Sequence, residues 1–253
     1  MEARIGQCSE VNNRFYDQLG NRWYTAQDDP VALLRAESRA RNPWMASEIR
    51  RAFPCGHTRV LDVGCGAGFL SNELARQGFA VTGLDASQQS LSVAARYDTT
   101  GRAKYETGRA DRLPYPDRSF EVACAMDFLE HVEDPSLVVA ECARVLVPRG
   151  LFFFHTFNRN WLSWLIIIKG VEWFVKNTPP NLHSLRYFVK PSELRAMCLR
   201  SGLTPVMLTG FVPKVNQGAF LRMLLTGRVD DRFTFRFTRS TMTGYTGFAV
   251  KPE

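Results

Sequence analysis

The sequence predicts an α/β fold built on an open, mostly parallel twisted sheet. Three observations carry this expectation. From residue 59 to 157, short apolar runs alternate with helical segments of about 10 to 15 residues. A glycine-rich turn, Gly64-Cys65-Gly66-Ala67-Gly68, joins the first run to the first helical segment. An acid, Asp85, closes the second run, where a carboxylate can accept both hydroxyl hydrogens of a ribose.

Taken in order, residues 10–53 read as helical, with Asn42-Pro43 marking a break. RVLDVGCG (59–66) is a buried strand ending in glycines, and GFLSNELARQG (68–78) is a helix closed by Gly78. AVTGLD (80–85) and SQQSLSVAARYD (87–98) give the second strand and second helix. KYETGRA (104–110) and SFEVACAMDF (119–128) are strands three and four. DPSLVVAECARVL (134–146) is a helix opened by Asp134-Pro135, and LFFFHTFN (151–158) is strand five. The alternation then stops for about thirty residues. PSELRAMCLRSG (191–202) follows as a helix, with Ser192 as cap and Gly202 as stop. LTPVMLTGF (203–211) and FTFRFTRSTMTGYTGFAV (233–250) supply further strand material. The expected organisation is a single unit: a helical cap (1–54), a core (55–157), an apolar helical insert (158–190) and a C-terminal helix with strands (191–253).

Composition narrows the class. The chain has 253 residues, 45% of them hydrophobic and 23% charged, enough for a sizeable core. Six cysteines without CxxC spacing point to reduced thiols in a cytoplasmic setting, not to a disulfide framework or a zinc ribbon. The N-terminus MEARIGQCSEVNNRF shows no apolar leader, and no 18 apolar residues run together. The net charge of +7 comes mostly from 26 arginines, which suits an anionic lipid surface, nucleic acid, or simple solubility. No dense basic-aromatic run or appended module supports a nucleic-acid partner.

Two resemblances follow from the residues. VLDVGCGAGF, an acid ending the second strand, and ADRLPYPDRSFEVACAMDFLEHVEDP together resemble the Rossmann-like class I S-adenosylmethionine-dependent methyltransferases, over roughly residues 58 to 155. The resemblance implies that Gly64, Gly66 and Gly68 cradle the methionine part of S-adenosylmethionine and that Asp85 holds its ribose. It places Asp111 and Arg112 beside the adenine and Met126 along the cofactor, with Asp62, Cys65 and Ala86 completing the set. Cys65 itself reads as a small packed residue. RWY (22–24), FLEHV (128–132), FNRN (157–160), SWL (163–165), GVEW (170–173), PPNLH (179–183) and FVKPSEL (188–194) are similar to the quinone-biosynthesis O-methyltransferases, which methylate polyprenylated phenols and catechols. The chain departs from that pattern at three places. Met45 stands where the pattern has a cofactor-contacting arginine, Asp127 stands where it has glutamate, and the C-terminal ending differs.

Methyl transfer to a phenol needs alignment with the sulfonium and loss of a proton, to a base or under the influence of a metal. Asp127, Glu130 and His131 stand at i, i+3 and i+4, so a helix over 127–131 would place all three on one face. His131 and Glu130 are the catalytic candidates. With Asp127 they form a candidate site for Mg²⁺ or another divalent metal, which the quinone-family resemblance favours. His155 reads as a satisfied half-buried strand histidine, and His183 as a substrate-side residue. The acceptor expected is a hydrophobic phenol or catechol, such as a polyprenylated quinone precursor. Carbon or nitrogen methylation of another lipophilic acceptor, and a non-catalytic lipid-binding role, remain as alternatives.

WLSWLIIIKGVEWFVK (161–176) carries eleven large apolar residues out of sixteen. On a helix, Lys169, Glu172 and Lys176 fall together, with Glu172 and Lys176 placed to pair at i, i+4. The apolar arc is wider than one core contact requires. Two expectations follow: a helix buried under the C-terminal strands, or one that lines the acceptor entrance and touches an anionic membrane surface.

Overall fold

Strands β1 (Arg59–Val63), β2 (Ala80–Asp85), β3 (Lys104–Thr107), β4 (Phe120–Met126), β5 (Leu146–Phe157), β6 (Thr204–Pro213), β7 (Phe235–Thr238) and β8 (Gly244–Val250) form one sheet in the computed structural model. Residues 11–54 and 57–253 are described. The reading of the extreme N-terminus, Cys8 and Cys55 lie outside them. The order is β3-β2-β1-β4-β5-β8-β6-β7. The first five strands are parallel, β8 runs antiparallel between β5 and β6, and β7 pairs antiparallel with β6. The order reverses between β1 and β4, so the carboxyl ends of β1, β2 and β4 open on one crevice. The central strands are covered on both faces, which is why Val122 to Ala125 and Phe152 to Phe154 read as unbroken apolar runs.

Local chemistry sets the helix ends. Helix α4 (Phe69–Arg76) starts directly from the glycine turn and buries Leu70, Leu74 and Ala75. Ser87 Oγ accepts the Ser90 N–H at 3.1 Å to cap α5 (Gln88–Tyr97), and Asp134 accepts the Ser136 N–H at 2.9 Å to cap α6 (Pro135–Val145). Such caps contribute about 1 kcal/mol each. The cap of α9 (Pro191–Arg200) is Lys190 with Pro191 at the first position, not Ser192; the Lys190 N–H donates to Glu193 Oε2 at 3.0 Å.

The N-terminal cap holds two short helices, α1 (Arg14–Gln18) and α2 (Arg22–Thr25), and the long α3 (Val31–Ala52). Asn42-Pro43 does not break α3. Pro43 is exposed, as is Arg39, the residue whose carbonyl loses its intrahelical partner. The insert is helical from Trp161 to Phe174: α7 (Trp161–Ser163), a π-helical stretch (Trp164–Lys169) and α8 (Gly170–Phe174). Glu172 pairs with Lys169 at 2.6 Å, not with Lys176, because the helix ends at Phe174 and Lys176 lies beyond it. A helix the sequence reading missed, α10 (Gly218–Thr226), packs against α8. No described helix is long and apolar enough to cross a membrane.

Candidate active site

The glycine turn is shaped for close approach. Gly64 and Gly66 have φ of +71° and +52°, in the left-handed region. A Cβ on Gly64 would lie 2.0 Å from the Phe128 ring, and one on Gly66 3.2 Å from Trp23. Asp85 braces the turn: Oδ2 accepts the Gly66 N–H at 2.9 Å and Oδ1 the Ser87 N–H at 2.8 Å. Beneath it, burial pushes Asp62 up to about 6 while Ser71 donates to its Oδ2 at 2.7 Å. Burial also pushes the Cys65 thiol well above its usual value, which suits a packed residue and not a nucleophile. Gly68 lines neither of the two cavities described below. Its Cβ would meet Tyr105 Oη at 2.7 Å and Ala94 at 2.9 Å, so it serves the packing of α4.

Two cavities of about 200 Å³ each meet at Gly64, Asp85 and Phe128. One is lined by Leu84, Ala86, Gly108, Ala110 and Val138, with Asp85, Asp111, Glu133 and Asp134 as its carboxylates. Asp111 lines this cavity and pairs with Arg109 at 2.6 Å; Arg112 is exposed and lines neither cavity. The other cavity begins at Asp62, Cys65, Gly66 and Met126 and runs past Asp127, Glu130, His131 and His183. It ends at Leu33, Leu34, Ile167, Val171 and Phe235, an apolar wall from α3, the insert and β7.

The turn after β4 divides the three residues expected to converge. Asp127 has φ +54°, and only Leu129–His131 form a single 3₁₀ turn, so no helix runs from 127 to 131. Asp127 faces α3, where Arg41 donates to it through Nη2 at 2.6 Å and Nη1 at 3.4 Å. Burial alone would raise this carboxyl; Arg41 and then His155 hold it below the usual range. Glu37 and the fully buried His155 complete that group, His155 Nε2 lying 3.1 Å from Glu37 Oε1. Buried His155 thus belongs to a charged network, in place of the half-buried strand role expected of it.

Glu130 and His131 turn the other way and meet His183 from the insert, with ligand atoms within 4.8 Å of one another. Glu130 Oε2 accepts from Thr156 Oγ1 at 2.8 Å, while Oε1 is buried without a partner. Burial, then the Asp127 charge, raises Glu130 to about 8; burial lowers His131 to about 4 and His183 to about 3. Two neutral imidazoles and a carboxyl thus share one wall. Asn13 faces this wall from the cap, its Oδ1 3.0 Å from His131 Nδ1, and Tyr16 packs edge-on against the same ring.

Asn13, Tyr16, Glu37 and Arg41 were not singled out from the sequence. The available signal was the polar character of α3: Glu37 and Arg41 stand at i, i+4 and both are buried. Residues of that type on an inward helix face mark a site or a network, seldom simple packing.

With this geometry in hand, comparison with known proteins is informative. Residues 61–154 match the model of the methyltransferase domain. The ubiquinone biosynthesis O-methyltransferase of Thiobacillus denitrificans is 36% identical over 211 residues, 82% of this chain and 85% of the relative. That of Neisseria meningitidis serogroup A is 40% identical over 208 residues, 80% and 82% of the two chains. The fold is shared with magnesium protoporphyrin IX methyltransferase from Synechocystis, solved with bound SAH, at a TM-score of 0.65 and 17% identity over 95% of both chains. The Rossmann-like sheet, the glycine turn with its acid and the extent of these similarities identify an S-adenosylmethionine-dependent O-methyltransferase, and the chain belongs to the ubiquinone biosynthesis O-methyltransferase family.

Proposed function

We propose that the chain transfers a methyl group from S-adenosylmethionine to a phenolic or catechol oxygen of a quinone precursor bearing an apolar tail. The observation that carries this reading is the polarity of the longer cavity, which passes from Glu130, His131 and His183 to the apolar wall of Leu33, Leu34, Ile167, Val171 and Phe235. A hydroxylated ring suits the first part and a hydrocarbon tail the second. The names of the relatives support the same acceptor class.

The cofactor residues assigned from sequence divide accordingly. Gly64, Cys65, Gly66, Asp62 and Met126 serve the methionine and sulfonium end; Asp85 serves the ribose; Ala86 and Asp111 serve the adenine slot. Gly68 and Arg112 line neither of these cavities, and their assignment rests on the resemblance.

The residues also fit a divalent cation. The buried, unpartnered Glu130 Oε1 beside two imidazoles is a donor set that Mg²⁺, Mn²⁺ or Zn²⁺ satisfies, with Glu130, His131 and His183 as ligands and Asp127 outside the set. Such an ion supplies acidity to a phenolic hydroxyl. The protein's share is to hold the two imidazoles neutral, to fix His131 through Asn13, and to keep water from the reacting oxygen.

The insert supports a membrane-facing route for the acceptor. Ile167 and Val171 line the cavity, while Trp161 (70% exposed), Trp164, Ile166 and Trp173 (63%) face outward, continued by Leu221 and Leu225 of α10. An exposed aromatic and aliphatic patch of this kind, beside arginines, suits the interface of an anionic bilayer. The test of the whole reading is incubation of the protein with methyl-labelled cofactor and a tailed catechol, followed by mass spectrometry. Label on the ring oxygen is the expected result; label on carbon or nitrogen, or cofactor binding without transfer, overturns it.

A further inference from the structure

The cavity that receives the methionine end of the cofactor is acidic, with six carboxyl side chains along its wall: Asp17, Glu37, Asp62, Asp85, Asp127 and Glu130. Among the described residues that line it, Arg41 is the sole arginine, and no lysine is present. S-adenosylmethionine carries two cationic groups, the sulfonium and the α-ammonium, and one anionic group, the α-carboxylate. An acidic wall suits the first two and opposes the third. The carboxylate therefore needs a cation, and the cavity offers one.

Arg41 is held in the right state for that task. It is 1% exposed on the inner face of α3 and beside Asp62, Gly66 and Leu70 along the same wall. Both terminal nitrogens point at Asp127, and Glu37 Oε1 lies 3.8 Å from Nη1. Nε is buried and has no acceptor. An N–H left unmet in such a place is unfavourable, and a guanidinium presents Nε and Nη as a fork that matches a carboxylate. The other arginines of α3 near the site are committed elsewhere. Arg35 donates to the carbonyls of Trp23 and Ala26, and Arg39 pairs with Asp231. Met45, one turn further along the same face, is apolar and packed in the core with Leu70 and Phe153.

We infer that Arg41, through its unpartnered Nε edge, is the residue that binds the α-carboxylate of S-adenosylmethionine, while Asp127 and Glu37 fix the plane of its guanidinium. The chain thus supplies from one turn earlier in α3 a cation that position 45 does not provide. The inference concerns the cofactor and stands apart from the identity of the acceptor or any metal.

Calorimetric titration with S-adenosylmethionine and with its decarboxylated form, which lacks only the α-carboxylate, tests it. The protein is expected to bind the complete cofactor at least about tenfold more tightly than the decarboxylated one. In Arg41→Met that preference collapses to about unity or inverts, because the acidic wall then favours the more cationic ligand. A general disturbance of the cavity would instead weaken both ligands by the same factor, and that result overturns the assignment. So does a protein with unchanged sequence that fails to distinguish the two ligands. Should Arg41→Met not fold, Arg41→Gln removes the charge but keeps an N–H donor for Asp127, and its ratio is read the same way.

Discussion

His131 Nδ1 lies 3.0 Å from Asn13 Oδ1, so a residue of the N-terminal cap grips the imidazole at the end of β4, 118 positions later in the chain. The contact is reinforced on the opposite side, where Asn12 N–H donates to Asn181 O at 2.8 Å and ties the same segment to the loop that bears His183. With Asn13 accepting from Nδ1, Nε2 is left with its lone pair, the form required of a metal ligand or a base.

Asn13→Ala is expected to lower kcat by about 10- to 100-fold while changing the affinity for S-adenosylmethionine by less than about twofold. Asn13→Asp keeps the acceptor and is expected to retain more activity than alanine. Steady-state kinetics with parallel calorimetry checks this. Equal kcat for the alanine variant and the parent chain would remove Asn13 from any positioning role.

Chelation of divalent ions is expected to abolish turnover, and addition of Mg²⁺ or Mn²⁺ to restore it, with cofactor affinity unaffected. His183→Ala should weaken binding of the ion, measured directly by calorimetry, by at least about tenfold. Asp127→Asn should leave ion affinity within about threefold, since Asp127 faces Arg41. Turnover that survives chelation would eliminate the metal.

Asp62 gives a pH-dependent stability term with a definite sign. Its folded-state pKa, raised by burial to about 6, lies above the usual 3.8. The folded state therefore holds the proton more tightly, and the contribution present at low pH is lost as pH rises from about 4 through about 6. The full shift is worth about 3 kcal/mol. Asp62→Asn, which cannot ionise, should raise Tm relative to the parent chain near about pH 7.5, and the gap should close below about pH 4. A constant difference across that range would contradict the assignment.

Cosedimentation with anionic phospholipid vesicles at low salt should capture the protein, and release it as salt rises. Replacing Trp161 and Trp164 together by alanine should reduce the bound fraction by roughly tenfold or more in affinity, from the apolar area removed. Binding that is indifferent to both tryptophans would leave the insert with its cavity-lining role alone.

Much of this molecule was legible from residue order. Gly64, Gly66 and Asp85 had to sit between β1, α4 and β2 because tight turns, close approach and strand ends leave few alternatives for glycine and acid at that spacing. The apolar runs of β4 and β5 showed burial on both faces without any knowledge of what covers them. The triad at 127, 130 and 131 was proposed for one helix face, and the left-handed Asp127 turned it into two separate groups.

What sequence alone determined, then, was the fold and a nucleoside-binding turn, because these rest on local spacing and on short-range rules of backbone and burial. The cofactor and the reaction class came from the resemblance of those motifs to known methyltransferases. Which polar groups meet across the site was decided only by tertiary structure. Arg41, Asn13 and His183 come from the cap and the insert, segments far from β4 in the chain, and reach Asp127 and His131 only once the sheet brings the carboxyl ends of its strands under α3. Periodicity records which face of an element is buried; it does not record which distant element supplies the partner for a buried charge.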